Sequence, residues 1–120
     1  MTQEDAISAL QARIQAFSQK RDWDQFHTPK NLIMAATSEM GELAEVLQWK
    51  NDEEAAEFLS TQYGRERISE EIADVAIYLI RLCQKLDLNF VEILSEKITQ
   101  NDAKYPVDKS KGSAKKYTDL

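Results

Sequence analysis

Two pairs of acids, Glu39-x-x-Glu42 and Glu71-x-x-Asp74, are the residues of this chain best suited to chemistry. On a helix, a three-residue spacing puts the carboxylates of each pair on adjacent turns, facing roughly the same way. Both pairs lie in otherwise apolar stretches, ATSEMGELAEVLQW and SEEIADVAIYLIRL. Acids are seldom buried unless they are paired or bind a metal, because stripping water from the charge is costly. If the two helices pack together, the four carboxylates Glu39, Glu42, Glu71 and Asp74 converge with no basic residue inside either motif. That arrangement calls for a hard divalent cation.

The donor set narrows the choice of metal. No histidine or cysteine lies near either motif, which argues against zinc, and the Glu-x-x-His element of di-iron bundles is missing. All-oxygen ligands suit Mg2+, with Mn2+ as a substitute, and magnesium typically shares its coordination with waters and substrate phosphates. The expected substrate is therefore a polyphosphate, whose charge the cation would neutralise while activating water.

The elements that must position these acids are helices. The sequence has three glycines, two prolines and no stretch that alternates as a half-buried strand would. A first helix is expected from Glu4 to Lys20, with Thr2 as its cap and Asp5 in the capping-box position. Its apolar residues Ala6, Leu10, Ile14 and Phe17 recur at helical spacing. The segment RDWDQFH reads as a structured connection, and Thr28-Pro29 then opens a second helix running to Lys50. A short helical piece, EEAAEFLS, precedes Gly64; a long helix spans Arg65 to Leu86; and Asn89-x-x-Glu92 caps a further helix ending near Tyr105-Pro106. Residues 1–106 are thus expected to form one helical domain, followed by a basic, extended and flexible tail over 107–120.

At about 100° per residue, Leu32, Ala36, Leu43 and Leu47 set the core face of the second helix. Glu39 falls inside that arc, Glu42 at its edge, and Glu45 nearer solvent. On the long helix Ile68, Ile72, Val75, Leu79 and Leu86 set the core face. Glu71, Asp74 and Tyr78 ridge its border, and Glu70 and Arg81 face away. Acids on helices usually belong to a solvated face. These four differ from their acidic neighbours in direction.

The bulk numbers exclude several classes of protein. With 120 residues the chain suffices for one domain with a core. A net charge of −6 argues against binding a nucleic-acid polymer. No segment approaches the roughly 20 apolar residues that span a bilayer, and the N-terminus lacks the pattern of a signal peptide. The lone Cys83, set in an apolar helix, fits a reducing cytoplasmic setting.

Taken together, these residues resemble the MazG-like, all-α nucleoside triphosphate pyrophosphohydrolases, in which an ExxE motif is followed by ExxD on another helix. RDWDQFHTPKNL, GELAEVLQWK, EEIADVAIYLIRL and the terminal KYTDL look like the dCTP pyrophosphatase branch of that family. The resemblance runs from about Arg21 to Leu120. It implies an all-α bundle of four to five helices whose sites are completed in a homodimer or a dimer of dimers. It also implies magnesium-dependent cleavage between the α and β phosphates, giving a monophosphate and pyrophosphate, a house-cleaning activity on the nucleotide pool. Glu39, Glu42, Glu71 and Asp74 would hold the metal.

The same resemblance suggests the substrate contacts. Trp23 and Trp49 would stack on a base, as their flat faces allow, although isolated tryptophans more often belong to a core. His27 would join the substrate pocket or, alternatively, serve the start of the second helix. Tyr78, one turn beyond Asp74, would touch the sugar or pack at the border. Lys50, Asn101, Lys104 and Tyr105 are candidates for phosphate or base contacts, and Lys115, Lys116 and Tyr117 for closure over the phosphates. The segment NDEEAAEFLSTQYGRER follows no firm family pattern, and Asp102 and Ala103 fall where more basic residues are expected.

Three other readings remain open at this level. The same chemistry could act on dUTP, a broad set of triphosphates or phosphoribosyl-ATP, because base readout rests on a few hydrogen bonds. A helical dimerisation or regulatory module would keep the bundle and lose the chemistry. A metal-stabilised structural bundle would melt higher with the ion and ignore nucleotides.

Overall fold

Side-chain caps divide the chain into α-helices, at Thr28 and Asn89 as expected and also at Asn51 and Thr61. A computed structural model describes the backbone of residues 3–120 and the side chains from residue 6 onward. The cap expected from Thr2 and Asp5 lies outside the described residues. Helix α1 spans Gln3–Lys20, and a 3-10 turn, Asp24–Phe26, leads to α2, Pro29–Leu47. Thr28 caps α2: its hydroxyl accepts from the Asn31 amide at 3.2 Å, and Pro29 occupies the first turn. Asn31 Nδ2 donates to the Phe26 carbonyl at 2.9 Å, tying the 3-10 turn to the helix that follows.

Helix α2 stops three residues short of the expected Lys50, because Asn51 is already extended and caps the next helix. That helix, α3, Asp52–Ser60, opens with a reciprocal capping box between Asn51 and Glu54. Helix α4, Gln62–Lys85, begins earlier than predicted because Thr61 caps it through the Gly64 amide at 3.0 Å. Gly64 is therefore inside the helix and buried. A Cβ there would lie 2.0 Å from the Phe58 carbonyl oxygen, so glycine is what allows α3 to turn so closely into α4.

The described residues are all α-helix, 3-10 turn and loop, as predicted. They form two compact units, one ending at Asp87 and one spanning Leu88–Leu120. In the first, α4 is the central element: α2 packs along it most extensively, with α1 and α3 also against it. The core holds Ile14, Leu32, Ala36, Val46, Ile80 and Cys83. On α2 the predicted face is nearly right, with Leu32 and Ala36 buried and Leu43 and Leu47 half-buried. On α4 it is not. Ile72, Leu79 and Leu86 are exposed (54%, 42% and 46%), while Glu71, Ile80, Arg81 and Cys83 are buried. An arc drawn through the apolar residues alone misses the buried face, because that face contains a carboxylate and a guanidinium.

In the second unit, α5 spans Phe90–Lys104, capped by the Asn89 side chain accepting from the Glu92 amide at 2.9 Å. The segment beyond Pro106 is less extended than expected. It forms a four-residue helix α6, Val107–Ser110, and a 3-10 turn, Tyr117–Asp119. Gly112, at φ 76°, supplies the left-handed residue between them. The Tyr117 ring meets Tyr105 edge-on with centroids 6.1 Å apart, and Lys104 Nζ sits 4.9 Å from the Tyr117 ring. No described helix is long and apolar enough to cross a membrane.

Candidate active site

The packing of α2 on α4 joins the two acid motifs. Glu39 and Glu42 occupy successive turns of α2 and Glu71 the facing turn of α4; each offers a carboxylate oxygen, all within 4.8 Å of one another. Glu71 is only 6% exposed. Its Oε1 takes a 3.4 Å contact from Arg67 Nη1 one turn earlier, whereas Oε2 is buried with no hydrogen-bond partner, as is Oε2 of Glu39. Buried carboxylate oxygens without partners are rare and costly, and a cation supplies what they lack. With only oxygen donors at hand, these residues fit a hard divalent ion. Asp74 stands outside this set of three but lines the same pocket as Glu39.

Burial and crowding leave their mark on Glu39. The Glu39 carboxyl is pushed up to about 7, first by burial, then by its hydrogen bond with Glu42 and by the charges of Glu42, Asp74 and Glu71. Without a cation, one proton therefore does part of the neutralising. A folded-state value above the ordinary 4.5 means that the folded chain holds more protons than the unfolded one between those limits. The stabilisation is complete below the lower value and is lost as pH rises through the upper. In EDTA, the melting temperature is thus expected to fall between pH 5 and pH 7.5 more steeply for the wild type than for Glu39→Gln. Added divalent cation should restore it at the upper end. Parallel pH slopes for the two proteins would uncouple Glu39 from the cluster.

A pocket of about 600 Å³ opens beside the acids, within the first unit and in the size range of small-ligand sites. Glu39 and Asp74 form part of its wall, together with Trp23, His27 and Tyr78. Trp23 is no core residue: at 44% exposure, it stands edge-on to Phe17 with centroids 5.6 Å apart and near His27 at 6.5 Å. Of the sequence-predicted contacts, Trp23, His27 and Tyr78 thus join the acids. Trp49 and Lys50, just past the end of α2, do not line the pocket; Trp49 is 88% exposed and Lys50 Nζ sits 4.7 Å from the Phe58 ring. Asn101, Lys104 and Tyr105 belong to the second unit, where Lys104 and Tyr105 gather around Tyr117.

The prediction that Arg81 faces away is overturned. It is 2% exposed and lines the pocket. Its Nε donates to His27 Nδ1 at 3.1 Å, Nη1 to Gln84 Oε1 at 3.0 Å, and Nη2 to Asp24. Lys85 Nζ also donates to Asp24, at 3.0 Å. Gln84 in turn donates to the Gln11 carbonyl at 2.8 Å, pinning α4 to α1. Two spacings in the sequence could have revealed these residues. Asp74, Tyr78 and Arg81 follow i, i+4, i+7 on one face, and Arg67 precedes Glu71 by one turn.

Residues 34–120 match the MazG-like family, a stretch that contains both acid motifs. This chain belongs to the MazG-like family. Among curated relatives, this MazG-like chain is 43% identical over 104 residues to dCTP pyrophosphatase 1 of Mus musculus, and equally so to that of Bos taurus. The Homo sapiens protein of the same name is 38% identical over 104 residues. Each match covers 87% of this chain but only 61–62% of the relative, so the chain spans about three fifths of their length. A solved pyrophosphatase from Archaeoglobus fulgidus superposes with a TM-score of 0.78 at 37% identity, covering 84% of this chain and 93% of that one.

Proposed function

We propose that this MazG-like protein is a Mg2+-dependent nucleotide pyrophosphohydrolase, cleaving the α–β phosphoanhydride of deoxynucleoside triphosphates and preferring dCTP and its modified forms. The observation that carries the reading is the meeting of Glu39, Glu42 and Glu71 beside a pocket walled by Trp23, His27 and Tyr78. The names of the curated relatives favour dCTP as the substrate.

In this reading Glu39, Glu42, Glu71 and Asp74 hold the cation, with Mn2+ as a substitute for Mg2+. When bound, the ion supplies charge neutralisation of the phosphates and activation of water. A carboxylate of the cluster orients the attacking water and takes its proton as general base. The water oxygen bonds to the α-phosphorus as the bridging α–β oxygen leaves with pyrophosphate. Trp23 stacks on the base, His27 contacts its edge, and Tyr78 touches the sugar; Trp49, outside the pocket of one chain, stacks on a base only in the assembly with a second copy. Lys50, Asn101, Lys104 and Tyr105 serve phosphates or base, and residues 107–120 act as a basic tail to the domain 1–106.

Full assembly of the site takes a second copy of the chain, as a homodimer or a dimer of dimers. Ile33, Met34 and Met40 of α2 and Ile72 and Leu79 of α4 are large apolar residues exposed in one chain, which supports that assembly. A cytoplasmic setting fits the single, buried, free Cys83. A panel of dCTP, dUTP, the other dNTPs and phosphoribosyl-ATP, each with Mg2+, Mn2+ or EDTA, tests the reading. The highest kcat/KM is expected for dCTP with Mg2+; equal rates on all would remove the cytosine preference, and no turnover of any would remove the enzyme.

A further inference from the structure

The Arg81 network does more than hold α4 against the 3-10 turn. Nδ1 of His27 accepts the Arg81 Nε–H at 3.1 Å, and an accepting nitrogen carries no proton. The imidazole is therefore neutral, with its proton on Nε2, because protonating Nδ1 would set two N–H donors face to face. The guanidinium itself is fixed by Asp24 and Gln84 and is buried, so it does not swing away as a surface arginine would. Burial and the Arg81 charge both press the His27 imidazole toward its neutral form, against the opposing pull of Asp24. The charged groups around His27 and along the pocket it lines are Asp24 from the turn, Asp74, Arg81 and Lys85 from α4, Glu39 from α2, and Arg13, Lys20 and Arg21 from α1. Most are cations, and cations disfavour a second positive charge on the ring.

With Nδ1 committed, Nε2–H is the polar atom left for a ligand. We propose that Arg81 is a positioning and specificity-determining residue: it locks His27 as a one-way hydrogen-bond donor, so that the pocket selects a nucleobase presenting an acceptor, such as a ring nitrogen or carbonyl, at that edge. The inference rests on the nucleotide reading of the pocket and adds a residue to it. Arg81 touches the substrate's partner, and its effect falls on binding.

His27 is the only histidine of the chain, so imidazole 15N spectra of an untagged protein report on it alone. The experiment uses wild type, Arg81→Met and Arg81→Lys, each with and without the α,β-imido analogue of dCTP. Arg81→Lys keeps the cation beside Asp24 and removes the Nε–H, so it serves if the methionine variant fails to fold. In the wild type, Nδ1 should resonate as an acceptor, the ring should titrate below the ordinary histidine range, and the analogue should perturb the Nε2–H signal. In both variants the titration should move up toward that range, less far in Arg81→Lys, whose ammonium keeps a positive charge near the ring. KM for dCTP should rise about tenfold, the scale of one lost hydrogen bond, with a smaller change in kcat. A proton on Nδ1 in the wild type, or variants with unchanged His27 titration and KM, would overturn the proposal. So would turnover of dCTP with no analogue response at Nε2. The expected spectra and analogue response without turnover would support the recognition device while refuting the hydrolysis.

Discussion

Glu71→Gln is expected to lower kcat by roughly 10²–10³-fold, the scale on which one lost electrostatic contact to a transition state acts, while the helical fold survives. Glu71 is the most buried of the acids, faces Glu39 and Glu42 across the α2–α4 contact, and has one oxygen without a partner. The amide keeps the size and removes a charge from a like-charge cluster, so repulsion on Glu39 is relieved. What it gives up in stability is the 3.4 Å contact with Arg67, an i,i+4 pair worth only a few tenths of a kcal/mol. In EDTA the variant should melt no lower than the wild type; with Mg2+ it should lose the ion-induced rise. Thermal melts with and without the ion, beside steady-state kinetics, separate the two effects. Wild-type turnover would remove Glu71 from the metal site.

The second large effect comes from contrasting two apolar substitutions, one inside α2 and one just past its end. Leu32 is 1% exposed in the α2–α4 core, so Leu32→Ala should cost about 2–5 kcal/mol and lower the melting temperature by roughly 10 °C or more. Trp49 is 88% exposed, so Trp49→Ala should leave the melting temperature nearly unchanged. Its KM for dCTP should nevertheless rise about tenfold, since stacking on a base contributes about 1–3 kcal/mol. Leu79 would be a poor control, because it too is exposed. An unchanged KM for Trp49→Ala would leave Trp23 as the tryptophan that meets the base.

Much of this could be read from local chemistry. Thr28, Asn51 and Asn89 each make a cap through a side chain, and such bonds depend on residues three apart, which a sequence displays directly. The convergence of Glu39, Glu42 and Glu71 was legible for a related reason: acids inside apolar helices point to a shared interior. Gly64 read as a break because glycine usually punctuates; its role in letting α3 approach α4 depends on a contact with the Phe58 carbonyl that spacing does not reveal. Arg81 reads as solvent-facing in the sequence because a lone arginine is ordinarily solvated. Its burial needs Asp24, His27 and Gln84 at once, and two of these lie more than fifty positions away. Ile72 and Leu79 read as core by their chemistry alone, yet one chain leaves them open.

The proposed hydrolysis at the α-phosphorus, supported by the acids of α2 and α4, can be followed with isotope-labelled water. Purified protein would be given dCTP and Mg2+ in ¹⁸O-water, with an EDTA control, and the products resolved by phosphorus NMR and mass spectrometry. Metal-dependent dCMP carrying one ¹⁸O, with unlabelled pyrophosphate, is the expected result. Label in pyrophosphate would place the attack on the β-phosphorus, and dCDP with orthophosphate would mean that a different bond is broken; either result would contradict hydrolysis at the α-phosphorus.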